Sequence, residues 1–217
     1  MTALVVLVFV ALRLASHGGD PSAFVVAGDH FVDPRTAPGE LVVHRDSTGY
    51  DGQFVYRLAL DPFTDRPSAY GITLDNPPYR QQRIILPLLA WLADAATPLP
   101  LPLILILLNA LALVGAGWFG ARIARAYGRH AGYGVLLATS PGLLIGLSRD
   151  LNEPLAWFGL LAGLWWWREG RHPLAVAAFS VSALTRETTL VVVAGLGAWQ
   201  LVAPLLGRGE LRRQLPL

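Results

Sequence analysis

Acids and arginines that could take part in chemistry are concentrated in four short polar stretches of an otherwise apolar chain. The stretches are GYDGQ (49–53), NPPYRQQR (76–83), SRDLNEP (148–154) and TRET (185–188). Their charged residues are Asp51, Arg80, Arg83, Arg149, Asp150, Glu153, Arg186 and Glu187. Arginine can hold a phosphate group through two parallel N–H donors, and a carboxylate can accept a proton or orient a guanidinium. These residues are therefore candidates for a phosphate-binding or catalytic site.

Helix capping is a structural alternative for several of these side chains. Asp51 could accept hydrogen bonds from backbone N–H groups of the helix predicted to follow it. Asp150 or Asn152 could do the same for the next apolar segment, and Thr185 for the one after TRET. Those hydrogen bonds favour a charged carboxylate, so an Asp51 that caps a helix would be a weaker base.

Local ion pairing is a second structural alternative. Arg149 could pair with Asp150 or Glu153, and Arg186 with its neighbour Glu187. The arginines of NPPYRQQR could equally anchor to lipid headgroups. Capping and local pairing do not require two arginines and three acids on one face, so for the group as a whole the sequence favours function.

The composition indicates a membrane protein. The 217 residues are 53% hydrophobic and only 15% charged, with a mean hydropathy of +0.46, which is too apolar for an ordinary soluble domain. The net charge of +2 argues against nucleic acid as a partner. The chain has no cysteine, which excludes disulfides and thiolate metal sites.

Hydropathy predicts an all-α polytopic membrane protein with about six transmembrane helices in one domain, 1–217. The first is the N-terminal run TALVVLVFVALRLA, and a long polar loop, 16–98, follows it. The later apolar segments are 99–121, 131–147, 155–167 and 173–204. The last is too long for one span and contains a charged pair, so we expect it to divide into two helices at Arg186.

Arginine positions predict the orientation. Basic clusters follow alternate spans, at Arg122, Arg125 and Arg129, at Arg168 and Arg171, and at Arg208, Arg212 and Arg213. Because basic residues concentrate in cytoplasmic loops, both termini should be cytoplasmic. The loop 16–98, SRDLNEP and TRET then share the exoplasmic face.

The long loop should carry two interfacial helices. From Gln53 to Leu60, apolar residues recur at helical spacing opposite Gln53, Tyr56 and Arg57, which predicts an amphipathic helix lying on the membrane. RIILPLLAWLADAA is apolar but short and suits a second such helix. The segments FVVAGDHFV and ELVVHRD are compatible with a small β-hairpin.

This layout resembles the integral-membrane glycosyltransferases of the C-type (GT-C) fold, which use polyprenyl-phosphate sugars. The strings GYDGQFVYRLALDPF, YRQQRIILPLLAWL, SRDLNEPLA and LTRETTLVV are similar to bacterial members of its mannosyltransferase-like group. The resemblance covers essentially the whole chain. It implies a hexosyltransferase of the bacterial plasma membrane and cell envelope, with membrane lipids, a polyprenyl-phosphate-linked sugar and a glycan, lipid or protein acceptor as partners.

The resemblance also implies roles for individual residues. Asp51 matches the loop acid that acts as general base or positions the acceptor, in a single displacement with inversion. Arg80, Arg83, Arg149 and Arg186 would neutralise the leaving phosphate. The sugar hydroxyls or these arginines would be held by Asp150, Glu153 and Glu187. Tyr50 and Gln53, which flank Asp51, are assigned to the substrate site with them.

Two departures from the family limit what the resemblance implies. Many relatives carry paired acids, whereas Gly52 and Gln53 follow Asp51 here, so no metal or other cofactor is expected. The family usually has more spans than six, which predicts that the chain is a fragment or a truncated member. A non-enzymatic protein that binds, flips or assembles lipid phosphates with the same arginines is the alternative function.

Overall fold

The computed structural model describes residues 1–206, which are mostly helical. The helices are α1 (Thr2–Ser16), α2 (Gly52–Leu60), α3 (Pro77–Gln81), α4 (Ile85–Ala96), α5 (Leu101–Ala126), α6 (Gly132–Ala138), α7 (Pro141–Ser148), α8 (Glu153–Arg168), α9 (His172–Thr185) and α10 (Thr189–Leu205). A 3₁₀ turn spans Pro21–Phe24, and the strands are β1 (Ala27–Gly28), β2 (Val43–His44), β3 (Ser68–Ala69) and β4 (Ile72–Thr73). The predicted cytoplasmic arginines Arg208, Arg212 and Arg213 lie outside the described residues.

Helix α5 is the centre of the fold and, among residues 1–206, the one helix long and apolar enough to cross a membrane. At 1.5 Å per residue its 26 residues extend about 39 Å, more than the roughly 30 Å of a hydrocarbon core. Helices α1, α4, α9 and α10 are apolar but shorter. Helix α5 packs against α1, α4, α6 and α8, and α8 packs against α9.

Small residues allow α8 and α9 to approach closely. A Cβ atom added at Gly159 would lie 3.0 Å from the Ala178 carbonyl oxygen. In the same contact, the buried Ser182 hydroxyl donates a hydrogen bond of 2.8 Å to the Ala156 carbonyl oxygen. Contacts between small residues and polar bonds of this kind are characteristic of helix pairs in membranes.

The predicted division at Arg186 is confirmed, because α9 ends at Thr185 and α10 begins at Thr189. The prediction of one continuous helix over 131–147 is wrong, since α6 and α7 are separate. Pro141 at the start of α7 has no N–H to continue a helix, and Ser140 before it is extended with ψ 145°.

The first loop folds into a packed unit, and its helix α2 lies inside that unit instead of on a surface. Helix α2 forms where it was predicted, but every residue from Gly52 to Ala59 is buried. The prediction that Gln53, Tyr56 and Arg57 form an exposed polar face is therefore wrong. The three side chains have partners inside the loop unit instead; for example, the Tyr56 hydroxyl donates to Glu40 Oε1 at 2.7 Å. Arg57 donates only through Nη2, and its buried Nε and Nη1 have no hydrogen-bond partner among residues 1–206.

The segments predicted as a hairpin do pair, but in the opposite sense. Ala27 and Gly28 pair with Val43 and His44 in parallel, so the hairpin prediction is wrong. Parallel pairing requires a crossover connection, which residues 29–42 supply.

Two buried clusters mark the two ends of the helix bundle. At one end, the start of α5 (Leu101, Ile104) packs with α2 residues such as Val55 and with Leu155 near the start of α8. At the other end, Phe119 of α5 packs with Leu161 and Ala162 of α8. Helices α5 and α8 are thus parallel, and the first loop covers their N-terminal ends.

Candidate functional site

Arg80 is held between two carboxylates at the loop-covered end of the bundle. Its Nη1 lies 2.8 Å from Asp51 Oδ2, and its Nη2 donates to Asp51 Oδ1 at 3.0 Å. The same guanidinium donates to Asp75 through Nε at 2.8 Å and Nη2 at 2.7 Å. Its face lies over the Phe54 ring, 4.3 Å from the centroid. Arg80 is thereby fixed in plane and position, with 10% of its side chain exposed.

Arg83 connects the first loop to the turn between α9 and α10. Its Nε and Nη2 donate to the two oxygens of Glu187 at 2.9 and 2.6 Å, in bidentate geometry. Nη2 also donates to the Tyr79 hydroxyl, and the guanidinium lies 4.2 Å from the Tyr79 ring centroid. The pair joins residues 104 positions apart and fixes the loop onto the helix bundle.

Arg149 and Arg186 are the other two arginines of the predicted site. Arg186 forms an ion pair with Glu153, at the start of α8. Arg149 stacks on Tyr50, with its guanidinium carbon 4.1 Å from the ring centroid. In the part of the chain that the structure describes, Arg149 has no carboxylate partner within 4.0 Å.

The three polar elements predicted to share one face converge. We call Tyr50, Asp51, Asp75, Arg80, Arg83, Arg149, Glu153, Arg186 and Glu187 the acid–arginine cluster. Asp51, Arg80, Arg83 and Asn152 line a common enclosed space of about 10 Å³, enough for one water molecule at most. The Asp51 side chain is 46% exposed on its other side. Any substrate must therefore reach Asp51 from that exposed side.

The capping explanations are wrong for Asp51, Asn152 and Thr185. Asp51 and Asn152 precede α2 and α8 but make no side-chain hydrogen bond to those helices. Thr185 ends α9 and donates to the Val181 carbonyl oxygen. The Asp51 oxygens face Arg80 instead of backbone N–H groups.

The prediction of ion pairs between residues close in sequence is also wrong. Glu187 pairs with Arg83, and Arg186 pairs with Glu153. Each partner comes from a different turn or helix, so these ion pairs join separate elements. Neighbours in sequence share a turn, whereas tertiary packing decides which turns meet.

Burial and ion pairing act in opposite directions on these groups. Burial lowers the pKa of the Arg80 guanidinium, but its hydrogen bonds to Asp75 and Asp51 outweigh burial, and the net pKa is raised. The Arg83 pKa is raised in the same way by Glu187. Hydrogen bonds from Arg80 and Arg83 lower the pKa of Asp75 and Glu187, respectively. Both pairs therefore stay charged at neutral pH.

Asp150 lies outside the cluster, behind it and fully buried. Arg13 of α1 and Asn109 of α5 are the polar groups that face it, yet neither carboxylate oxygen has a hydrogen-bond partner among residues 1–206. Its backbone has φ 47°, in the left-handed region at the end of α7. Burial raises the pKa of this carboxyl well above its ordinary value. Asp150 is thus too enclosed to meet a sugar hydroxyl in this conformation.

Gln53 has a structural role in the fold. Its Oε1 accepts from the Gly28 N–H at 3.1 Å, and its Nε2 donates to the Thr48 carbonyl at 2.9 Å. The side chain is buried, so both ends of the amide serve the loop rather than a ligand.

Sequence reasoning missed three residues near these sites. Asp75 contacts Arg80 and Tyr79 contacts Arg83, but each precedes its arginine by only a few residues, with no periodic pattern to single it out. Asn109 could have been found, because it is a lone amide in the apolar run of α5 and such residues are functional candidates. Among residues 1–206, no group of three or more His, Asp or Glu could hold a metal ion.

Comparison with known proteins finds no relative of this chain. The chain matches no family model, no curated protein and no solved structure. Its function must therefore be inferred from the cluster itself.

Proposed function

We propose that the chain is a multi-pass membrane glycosyltransferase that moves a sugar from a polyprenyl-phosphate donor to an acceptor hydroxyl. The observation that carries this proposal is a half-exposed carboxylate, Asp51, next in sequence to Tyr50, on whose ring the Arg149 guanidinium stacks. Arg149 has no carboxylate partner within 4.0 Å among residues 1–206. A carboxylate and a cation of this kind supply a proton acceptor and an anion site at one surface. The resemblance of the surrounding motifs to the GT-C fold points to the same chemistry.

Membrane insertion by several helices is supported by where the apolar side chains lie. Leu7 and Leu12 of α1 are each 67% exposed, and Val191 and Leu201 of α10 are 74% and 76% exposed. Large apolar surfaces in contact with water are unfavourable, and lipid would cover them. We place the acid–arginine cluster on the exoplasmic face and the C-terminal ends of α5 and α8 on the cytoplasmic face. Both termini of the chain are then cytoplasmic.

In the proposed reaction, the acceptor oxygen attacks the anomeric carbon as the bond from that carbon to the phosphate oxygen breaks. The electron pair of the broken bond leaves on the polyprenyl phosphate, and the hydroxyl proton passes to Asp51. Arg149 neutralises the charge that develops on the leaving phosphate. Arg80 holds the Asp51 carboxylate in place, and about half of the lone-pair positions on its two oxygens remain for the acceptor.

The test compares two carboxylates that bind the same arginine. Asp51→Asn should lower the rate of transfer from polyprenyl-phosphate mannose by about 100-fold or more, since general bases contribute about 10²–10⁴. Asp75→Asn also removes a partner of Arg80 but touches no reacting atom, so its rate should fall by less than about tenfold. Thermal unfolding of both variants in detergent checks that each is folded.

Two outcomes would contradict the proposal. Full activity in Asp51→Asn excludes a catalytic base at this position. Equal losses in both variants show that the acids act only by holding Arg80.

The non-enzymatic alternative is favoured by one feature, the engagement of both Asp51 oxygens by Arg80. A lipid-phosphate binder would retain polyprenyl phosphate when Asp51 is changed. It would lose that binding when Arg80 and Arg149 are changed together. A binding titration with polyprenyl phosphate on these variants separates the two functions.

A further inference from the structure

A basic pocket lies at the opposite end of the bundle from the acid–arginine cluster. It is lined by Trp118, Arg122 and Arg125 of α5 and by Trp165 and Arg168 of α8, is open at the surface, and has a volume of about 480 Å³. None of these residues takes part in the proposed transfer reaction. We refer to this feature as the basic pocket.

Tryptophan side chains fix the orientation of the central arginine. The Arg122 guanidinium carbon lies 4.8 Å from the Trp118 ring centroid and 4.4 Å from that of Trp165. Stacking uses the faces of the guanidinium and leaves its in-plane N–H groups free to donate. A guanidinium held in this way is preorganised to bind a phosphate oxygen pair.

Two of the three arginines that line the basic pocket have no acid close by in the described part of the chain. Over residues 1–206, neither Arg122 nor Arg125 has a carboxylate within 4.0 Å, and both side chains are exposed. Arg168 forms an ion pair with Glu169 at 3.3 Å. Cations gathered around one cavity repel each other, and a bound anion would relieve that repulsion.

Helix-end electrostatics alone do not explain this arrangement. Basic residues in the last turn of a helix favour its dipole, and cytoplasmic ends of spans are generally basic. Neither effect requires arginines from two helices to meet at one cavity with tryptophan walls. Arg129 and Arg171, just beyond the same helix ends, satisfy both effects without lining the basic pocket.

An apolar stripe on α5 leads into the basic pocket. Leu107, Leu111 and Trp118 are 43%, 67% and 52% exposed, and their spacing of four and then seven residues places them on one helix face. Arg122 and Arg125 continue the same face, four and seven residues beyond Trp118. This face is therefore apolar from Leu107 to Trp118, about 16 Å at 1.5 Å per residue, which is close to half of a hydrocarbon core of roughly 30 Å. It ends at the two arginines.

We propose that the basic pocket binds the phosphate headgroup of an anionic phospholipid whose acyl chain lies along Leu107 and Leu111. The recognised chemistry is a phosphate ester anion, and the apolar stripe selects a lipid over free phosphate. Tryptophan at this position matches the level of the headgroups. The site lies in the leaflet opposite the acid–arginine cluster, so it is independent of the proposed reaction.

The experiment compares two double variants that remove the same charge from the same end of the protein. Native mass spectrometry of the purified chain would measure binding of phosphatidylglycerol, with phosphatidylcholine as the neutral lipid. Arg122→Gln with Arg125→Gln should weaken phosphatidylglycerol binding by about tenfold or more, through loss of charge-assisted hydrogen bonds. Arg129→Gln with Arg171→Gln should change it by less than about twofold.

Equal losses in the two double variants would overturn the proposal, because diffuse surface charge would then account for binding. Competition by inorganic phosphate at the same concentration as the lipid would also overturn it, since the acyl chain would then contribute nothing.

A charge-preserving variant covers the case in which the glutamine variant does not fold. Arg122→Lys with Arg125→Lys keeps both charges but removes the stacked, forked donors, so binding should fall by about threefold or more. Full affinity in the lysine variant would refute the arginine geometry on which the site depends.

Discussion

The ion pair between Arg83 and Glu187 should make a measurable contribution to folding stability. It joins the segment between α3 and α4 to the turn between α9 and α10, with bonds of 2.9 and 2.6 Å. The Arg83 side chain is only 8% exposed, and that of Glu187 is 33% exposed. The pair is thus intermediate between a buried and a surface ion pair.

The magnitude follows from that intermediate exposure. Removing one partner of a fully buried pair costs about 3–5 kcal/mol, whereas an exposed pair contributes about 0–1 kcal/mol. Solvent at Glu187 weakens the interaction, so we expect a coupling energy of about 1–2 kcal/mol. Each single substitution should destabilise the protein by at least that amount, because the remaining charge loses its partner.

A double-mutant cycle with Arg83→Met and Glu187→Gln isolates the coupling energy. The free energy of unfolding would be measured for the four proteins in detergent with a chemical denaturant. Arg35 and Asp33 provide the matched control, since they lie 3.9 Å apart and are 92% and 52% exposed. Their cycle should show no coupling beyond experimental error.

The pH dependence gives a second check on the same pair. The hydrogen bond from Arg83 lowers the pKa of Glu187 below its ordinary value of 4.5. A carboxyl whose folded-state pKa is lowered stabilises the protein above the unfolded-state value, and that stabilisation is lost as the pH falls below 4.5. A coupling energy at pH 7 no larger than the control, or one unchanged in acid, would refute the reasoning.

Two further substitutions, with a third as a control, test contacts behind the cluster. Gly52→Ala would place a Cβ against the Arg149 carbonyl oxygen and 2.7 Å from that of Val25, so denaturant unfolding should show a loss of about 1–3 kcal/mol. Gly142→Ala, with nothing within 4 Å, should be neutral or stabilising, and equal effects at the two positions would contradict the steric argument. Burial raises the pKa of Asp150 above 3.8, so the native state loses stability as the pH rises from that ordinary value toward the raised one. Asp150→Asn should therefore be more stable than the parent at pH 7, with a difference that shrinks toward pH 4 in thermal unfolding; a constant difference would contradict this.

Helix positions could largely be predicted from the residues alone. The apolar runs that begin near Leu99 and Leu155 became α5 and α8, and the charged turn at Arg186 separated α9 from α10 as predicted. Hydropathy and periodicity are local properties, so they locate helices without knowledge of their neighbours. The break before Pro141 was also visible in the sequence, although the prediction passed over it.

The sequence by itself thus determined where most of the helices lie, how apolar they are and which polar stretches interrupt them. Only the tertiary structure decided that Asp51 contacts Arg80 instead of capping α2, that Glu187 pairs with Arg83 rather than with Arg186, and that α2 is buried on all sides. Charges do not select partners by sequence distance, since their interaction depends on separation in space and on the surrounding dielectric. Both of those quantities are set only when distant turns are packed together, which is why the residues of the cluster could be listed in advance but their pairing could not.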